Sequence, residues 1–302
     1  MNIHNTKNLL NTNYSINIEK VELFREGGNL SYIVYDTNQS YFMKIFRTPF
    51  LESATLSIDV QLYLLNKQFP VIPIIFTKSD SPFVRFTENS INYIIVLFDY
   101  IPGEEPASND TMEVGELVGL LHKAMEEYPG SLPIKGKEFF IDRYVSIMRE
   151  VNYPKTEWFQ SYGNELWDKV KILPQGYCHC DLYRGNINKA KKNDKLYIMD
   201  FDTSCIAFST YDIALFCNDT DYFNFDENGY ERTRKRLAEF LIGYQKHRSL
   251  SQEEISAFYY LIAVYHFQLQ ATIIELYGLN DNQSEFFDRQ YEWLLRREDI
   301  CR

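Results

Sequence analysis

Basic side chains are the minority in this sequence: 31 Lys and Arg stand against 42 Asp and Glu, a formal charge of −11 over 302 residues. An acidic surface repels phosphate backbones, so no nucleic-acid partner is expected. Cysteine is scarce as well. The five, Cys178, Cys180, Cys205, Cys217 and Cys301, are odd in number and lack metal-type pairing, and read as reduced thiols of a cytoplasmic protein. Cys178 and Cys180 flank His179, but no second Cys/His cluster follows in the sequence to complete four ligands. Packing thiols are therefore the expectation. The opening residues, MNIHNTKNLLNTNY, have no basic stretch leading into an apolar core, so no signal peptide is expected. Residues 255–274 contain no Asp, Glu, Lys or Arg, yet they hold Ser256, His266, Gln268, Gln270 and Thr272. That is the pattern of a buried helix rather than a membrane span.

Aromatic residues are plentiful, 23 Tyr and 22 Phe among them. They predict an aromatic-rich core, with ring faces for a cationic ligand as the alternative. The length allows a well-buried core and no more than two domains or lobes.

The first hundred residues read as strands with one helix. SYIVYD (31–36) and YFMKIF (41–46), split by the polar TNQS, predict a hairpin. A helix over 54–66 ends at FPVIP, and INYIIVLFDY (91–100) is a buried strand. After the Pro- and Gly-broken IPGEEPASND the chain turns helical: Val114, Leu117, Val118, Leu121 and Met125 form one apolar stripe. SQEE (251–254) has the Ser/Glu spacing of a capping box.

Two clusters of short oxygen-bearing side chains lie close together, HCDLYRGN (179–186) and YIMDFD (197–202). A hairpin through 191–194 would bring the amide of Asn186 beside the carboxylate of Asp200. That donor pair suits Mg²⁺, a hard ion that also accepts substrate phosphates. Asp181 would then face the oxygen that attacks a phosphate, as in phosphoryl transfer. Singly, each Asp or Asn reads equally well as a turn former.

Together, H-x-D-x-x-x-x-N followed by an apolar strand and D-F-D resembles the motif of the aminoglycoside phosphotransferase and choline kinase superfamily. The cadence is also similar to that of its homoserine-kinase-like branch. The resemblance implies an α+β, two-lobe protein-kinase-like fold: a small antiparallel-sheet N-lobe (1–98), a hinge (99–104) and a larger, mostly helical C-lobe (105–302). It implies that Asp181 is the catalytic base, that Asn186 and Asp200 are metal ligands, and that His179 and Asp212 are structural. Where protein kinases carry a lysine this chain has Tyr183, which leaves Arg184 to steady the transferring group. Gly27 and Gly28 match the hairpin covering nucleotide phosphates, and Lys44 the lysine on the α- and β-phosphates. Asp59, or alternatively Glu52, would pair with that lysine, and main-chain groups at Leu97, Phe98 and Asp99 would meet adenine. His122 is expected to be packed.

The implied reaction is transfer of the γ-phosphoryl group of ATP, with GTP left open, to a hydroxyl of a small, amine-bearing acceptor, with Mg²⁺. Asp202, Asp219 and Asp221 are the candidates to meet an ammonium group; a solvated acidic loop is the alternative reading of 218–230. Monomer and homodimer both stay open, and no membrane partner is expected. The competing function is an inactive, spore-coat-like binding or structural module.

Overall fold

The computed structural model describes residues 3–279 and 283–301; the side chain of Cys301 lies outside the described set. By their contacts the residues form two compact units, Met1–Glu105 with Asn186–Thr203, and Pro106–Gly185 with Ser204–Arg302.

The first unit begins with helix α1 (Ile3–Asn13), which the sequence reading did not anticipate, and strand β1 (Ile18–Glu26). Strands β2 (Leu30–Asp36) and β3 (Ser40–Arg47) form the expected hairpin. Helix α2 (Leu51–Asn66), β4 (Val84–Glu88) and β5 (Ile91–Asp99) complete a five-stranded antiparallel sheet of order β1-β2-β3-β5-β4. Side chains alternate across a strand, so β3 and β5 feed two separate cores. Met43, Ile45, Ile95 and Leu97 pack with Leu10 of α1 and with Tyr14, which follows that helix. Phe46, Ile94 and Val96 pack with Ala54 and Ile58 of α2. Lys44 pairs with Val96 in the β3–β5 register and so shares the α2 face. The short β6 (Gly103–Glu104) follows.

The chain then builds the second unit. Helix α3 (Thr111–Met125) buries the whole predicted stripe. A π-helical turn (Glu138–Asp142), α4 (Arg143–Glu150) and α5 (Thr156–Val170) lead to β7 (Gln175–Cys178). Residues 186–203 return to the first unit. There β8 (Ile187–Ala190) pairs with both β6 and β9 (Leu196–Ile198), and Ile198 also bridges to Val71. The expected lobe boundaries place these residues at 105–302; by contacts they group with the sheet unit, because β6 and the 70–72 segment supply their partners.

The second unit resumes with β10 (Cys205–Phe208), antiparallel to β7, then α6 (Ser209–Cys217), α7 (Gly229–Tyr244), α8 (Gln252–Tyr277) and α9 (Gln283–Cys301). The uncharged stretch is α8, opened by the predicted capping box: Ser251 Oγ accepts the Glu254 amide and Glu254 accepts the Ser251 amide. Most aromatic rings of this unit are core: Tyr144, Phe159 and Phe267 are fully buried and meet edge to face. Helices α3 and α7 cross with no room for side chains. A Cβ on Gly243 would lie 1.9 Å from the carbonyl oxygen of Met112, and one on Gly115 would lie 2.1 Å from that of Phe240. Among the described residues no helix is long and apolar enough to cross a membrane.

Candidate active site

Lys44 is the buried cation of the first unit, 8% exposed. Its strand is interior to the sheet, so the ammonium reaches its partners along the α2 face. Nζ donates to Asp200 at 2.8 Å and to Asp202 at 2.6 Å, and lies 4.9 Å from the Phe46 ring. Burial disfavours the lysine charge, but the two carboxylates outweigh it and its pKa is raised. Asp202 moves the other way from a normal acid. Burial, then the charge of Asp200, pushes it up to about 7 against the pull of Lys44.

The carboxylate partners of Lys44 therefore come from the 200–202 turn, and this corrects the expectation of Asp59 or Glu52. Both of those are exposed on α2, whose inward face is Ala54, Ser57, Ile58, Gln61 and Leu64. Asp59 is two residues from Ser57, about 200° around a helix, and so points away. Asp202 is corrected as well: the ammonium it meets is the chain's own Lys44. Asn29, which the sequence reading passed over, donates from Nδ2 to Asp202 at 3.0 Å.

Gly27 and Gly28 do form the turn between β1 and β2, and a Cβ on Gly27 would meet open space. Both of their carbonyls are taken by the Arg47 guanidinium, at 2.5 Å for Gly27 and 2.7 Å for Gly28. Arg47, three residues beyond Lys44, thus fixes the turn. At the other end of the unit, two of the main-chain groups expected to face adenine are already engaged. The Leu97 carbonyl accepts the Ile75 amide at 2.8 Å and the Asp99 amide donates to Pro73 at 3.0 Å. Phe98 lies between them, paired with Phe42. Strand β5 has no open edge at 97–99, since residues 73–75 flank it on one side and β3 on the other.

The hairpin geometry expected around Asn186 and Asp200 is present. In the β8–β9 register Ile187 stands opposite Ile198, and the Asn186 carbonyl accepts the Met199 amide at 2.9 Å, one residue short of Asp200. Asp200 has φ +62°, a left-handed conformation that Asp and Asn tolerate better than most residues. Asn186 is buried and Asp200 is exposed. These hard oxygen donors, with a lysine beside them, suit Mg²⁺ and phosphate rather than a soft metal. The buried Asn29 Oδ1 has no hydrogen-bond partner among the described residues, one more oxygen that a bound ligand could satisfy. Residues that could hold the ion are Asn186 and Asp200; Lys44 could meet the nucleotide phosphates.

In the second unit the loop after β7 is pinned from below by Asp212, which is fully buried on α6. Its Oδ2 accepts the His179 amide at 2.7 Å and lies 3.1 Å from His122 Nε2. Its Oδ1 accepts the Cys180 amide at 2.8 Å and the Cys178 thiol at 3.2 Å. Burial alone would raise its pKa; His122 and the amides reverse that and hold it below the usual carboxylate range. His122 is indeed packed, with Tyr244 OH 2.9 Å from Nδ1. His179 is fully buried. Asp181 lies in this loop, close enough that its charge raises the pKa of Tyr265 further, beyond the effect of burial. Arg184 corrects another expectation: its Nε and Nη2 donate to the Pro106 carbonyl at 3.0 and 2.6 Å, which makes it a brace for the loop.

Part of the acidic 218–230 segment is paired with arginines of α7 and α9. Asp219 accepts from Arg236 at 2.5 Å, and Asp221 accepts the Phe223 and Asn224 amides at 2.7 and 3.0 Å. Asp219 is thus tied to an arginine, while Asp221 shapes its own turn and stays exposed.

Known proteins resemble this chain in sequence and in fold. Homoserine kinase of Burkholderia lata is 23% identical over 165 residues, covering 53% of this chain and 49% of the relative; the chain thus spans about half the length of the curated relatives it matches. Among solved structures, the amicoumacin kinase hAmiN, in complex with AMP-PNP, Ca²⁺ and Ami, superposes with a TM-score of 0.77 at 16% identity, over 100% of this chain and 93% of that one. A microcompartment-associated aminopropanol kinase gives a TM-score of 0.76 at 14% identity, over 99% and 95% of the two chains. These structures share the α+β kinase fold with this chain. The model of the phosphotransferase enzyme family, APH, matches residues 21–250, and the chain belongs to that family.

Proposed function

We propose that the protein transfers the γ-phosphoryl group of ATP to a hydroxyl of a small, amine-bearing alcohol. The observation behind this reading is the Lys44 ammonium held by Asp200 and Asp202, with Asn186 one hairpin step from Asp200. In this reading Lys44 binds the nucleotide phosphates, and Asn186 and Asp200 hold Mg²⁺. The ion, when bound, neutralises phosphate charge. Asp181 accepts the hydrogen bond of the acceptor hydroxyl, orients it and takes its proton. Asp212 and Arg184 keep the loop around Asp181 in one shape, so that positioning supplies much of the rate. Residues 99–104 act as the hinge. Because Leu97 and Asp99 are engaged, adenine is met by main-chain groups beyond Asp99.

The named relatives act on homoserine, aminopropanol and amicoumacin. Homoserine and aminopropanol each carry an amine beside a hydroxyl, which supports an acceptor of that class. The test is ADP formation by the full chain with Mg²⁺ and ATP, against a panel of homoserine, ethanolamine, aminopropanol and an aminoglycoside. One acceptor should stimulate turnover, and Asp181→Asn should cut its kcat by about 10²–10⁴ with nucleotide affinity retained. If no acceptor stimulates and no nucleotide raises the melting temperature, the chain is instead a binding or structural module.

A further inference from the structure

Cys178, Cys180 and Cys205 bring their sulfurs within 4.8 Å of one another. The sequence hides this arrangement, because Cys205 arrives through strand pairing: β7 and β10 run antiparallel with Cys178 opposite Cys205. Cys180 follows two residues later, at φ +67°. All three are buried, at 0, 3 and 0% exposure. The fourth described cysteine inside a core, Cys217, is outside the group.

The surroundings are polar where simple packing would be apolar. Lys135 Nζ lies 3.9 Å from the Cys180 sulfur, and the Cys178 thiol donates to Asp212. Hydrogen bonds from Cys178 and Cys205 hold Cys180 well below the usual thiol pKa despite burial, while burial pushes Cys178 up. Without metal the group is three close sulfurs, with the Lys135 ammonium beside one of them and Asp212 beside another.

We propose that these three sulfurs form a thiolate site for one soft cation of the Zn²⁺ class, at the root of the loop that carries Asp181. Zinc–sulfur bonds of about 2.3 Å put tetrahedral sulfurs about 3.8 Å apart, so the group must contract by about 1 Å at most. Each thiol that coordinates gives its proton to solvent. Three thiolates and a dication sum to −1, which the Lys135 ammonium offsets; Cys178, on losing its proton, gives up its hydrogen bond to Asp212. A solvent molecule takes the fourth position. The site is separate in kind from the oxygen donors at Asn186 and Asp200, which suit a hard ion. Since Cys180 immediately precedes Asp181, occupancy fixes the backbone on one side of the proposed catalytic carboxylate.

The test uses the reduced, metal-free full chain titrated with Cd²⁺, read by its thiolate-to-metal charge-transfer absorption and by melting temperature. One equivalent should bind with the intensity of three thiolates. Zn²⁺ should displace it, Mg²⁺ should not, and the melting temperature should rise. Cys205→Ser should lose more affinity than the about 10–100-fold cost of removing an outer-shell partner, and Cys217→Ser should lose none. Absence of the band in the unaltered chain would overturn the proposal, as would a band that keeps the affinity and three-thiolate intensity in Cys205→Ser. Should Cys205→Ser fail to fold, thiolate counting on the unaltered chain decides by itself.

Discussion

Lys44 lies 2.6 Å from Asp202 and 2.8 Å from Asp200, so the acid two places beyond the expected metal ligand makes the shorter bond. Asp202 also accepts from Asn29, which ties the turn after β1 to the same carboxylate. Replacing Asp202 with Ala should leave the Asn29 amide without this acceptor and Lys44 with one partner fewer. A loss of about 1–3 kcal/mol in urea unfolding is expected, with Asp202→Asn intermediate. Unchanged stability in Asp202→Ala would remove the carboxylate from this structural role.

Lys44→Ala separates the two substrates. On the proposed function it should raise the KM for ATP and leave that of the acceptor nearly constant. A change confined to the acceptor would contradict the placement of Lys44 on the nucleotide.

Asp212 accepts two backbone amides and a thiol, and faces the His122 ring, in one fully buried spot. Asp212→Ala leaves those buried donors without their acceptor, at about 1–3 kcal/mol for each unsatisfied group. Amide exchange at residues 178–183 should accelerate more in this variant than exchange in α8. Equal protection in both would show that the loop holds its shape by other means.

The crossing of α3 and α7 tests packing alone. Gly243→Ala places a methyl group against the Met112 carbonyl, so the helices must separate. A cost of about 1–3 kcal/mol is expected, seen as a lower melting temperature with unchanged nucleotide affinity.

A pH dependence follows from His266, fully buried in α8 with its ring 4.4 Å from that of Trp293. Burial, with the Arg297 charge adding to it, pushes its pKa down from 6.5 to about 3. The unfolded chain therefore takes up a proton before the folded one as pH falls. The His266 contribution is complete above pH 6.5 and is lost progressively down to about pH 3. Stability should fall by about 1.4 kcal/mol per pH unit in that window, and His266→Phe should flatten the slope. Identical slopes in the two proteins would mean that another group governs acid unfolding.

The elements that the sequence made legible are those fixed by local patterning. The hairpin that sets Asn186 near Asp200 was readable because a polar turn separates two apolar runs, and Lys44 because its strand alternates. The helix pattern also held an unused signal. Ala54, Ser57, Ile58, Gln61 and Leu64 mark the inward face of α2, and Asp59 is off that face. Other features depend on partners far away in sequence. Arg184 reaches the Pro106 carbonyl, Arg47 the glycine turn, and Asp202 a lysine 158 residues earlier. No spacing rule announces such pairs, because side-chain direction is settled only when each unit folds.

The placement of Asp212 has a consequence for synthesis on the ribosome. The HCDLYRGN segment is translated in full before residue 212 exists, and its anchor on the other side, His122, lies 90 residues upstream of that acid. A nascent or truncated chain that stops short of α6 thus holds every letter of the motif without the carboxylate that anchors it. On the proposed function, the loop around Asp181 gains this anchor only after α6 has been made.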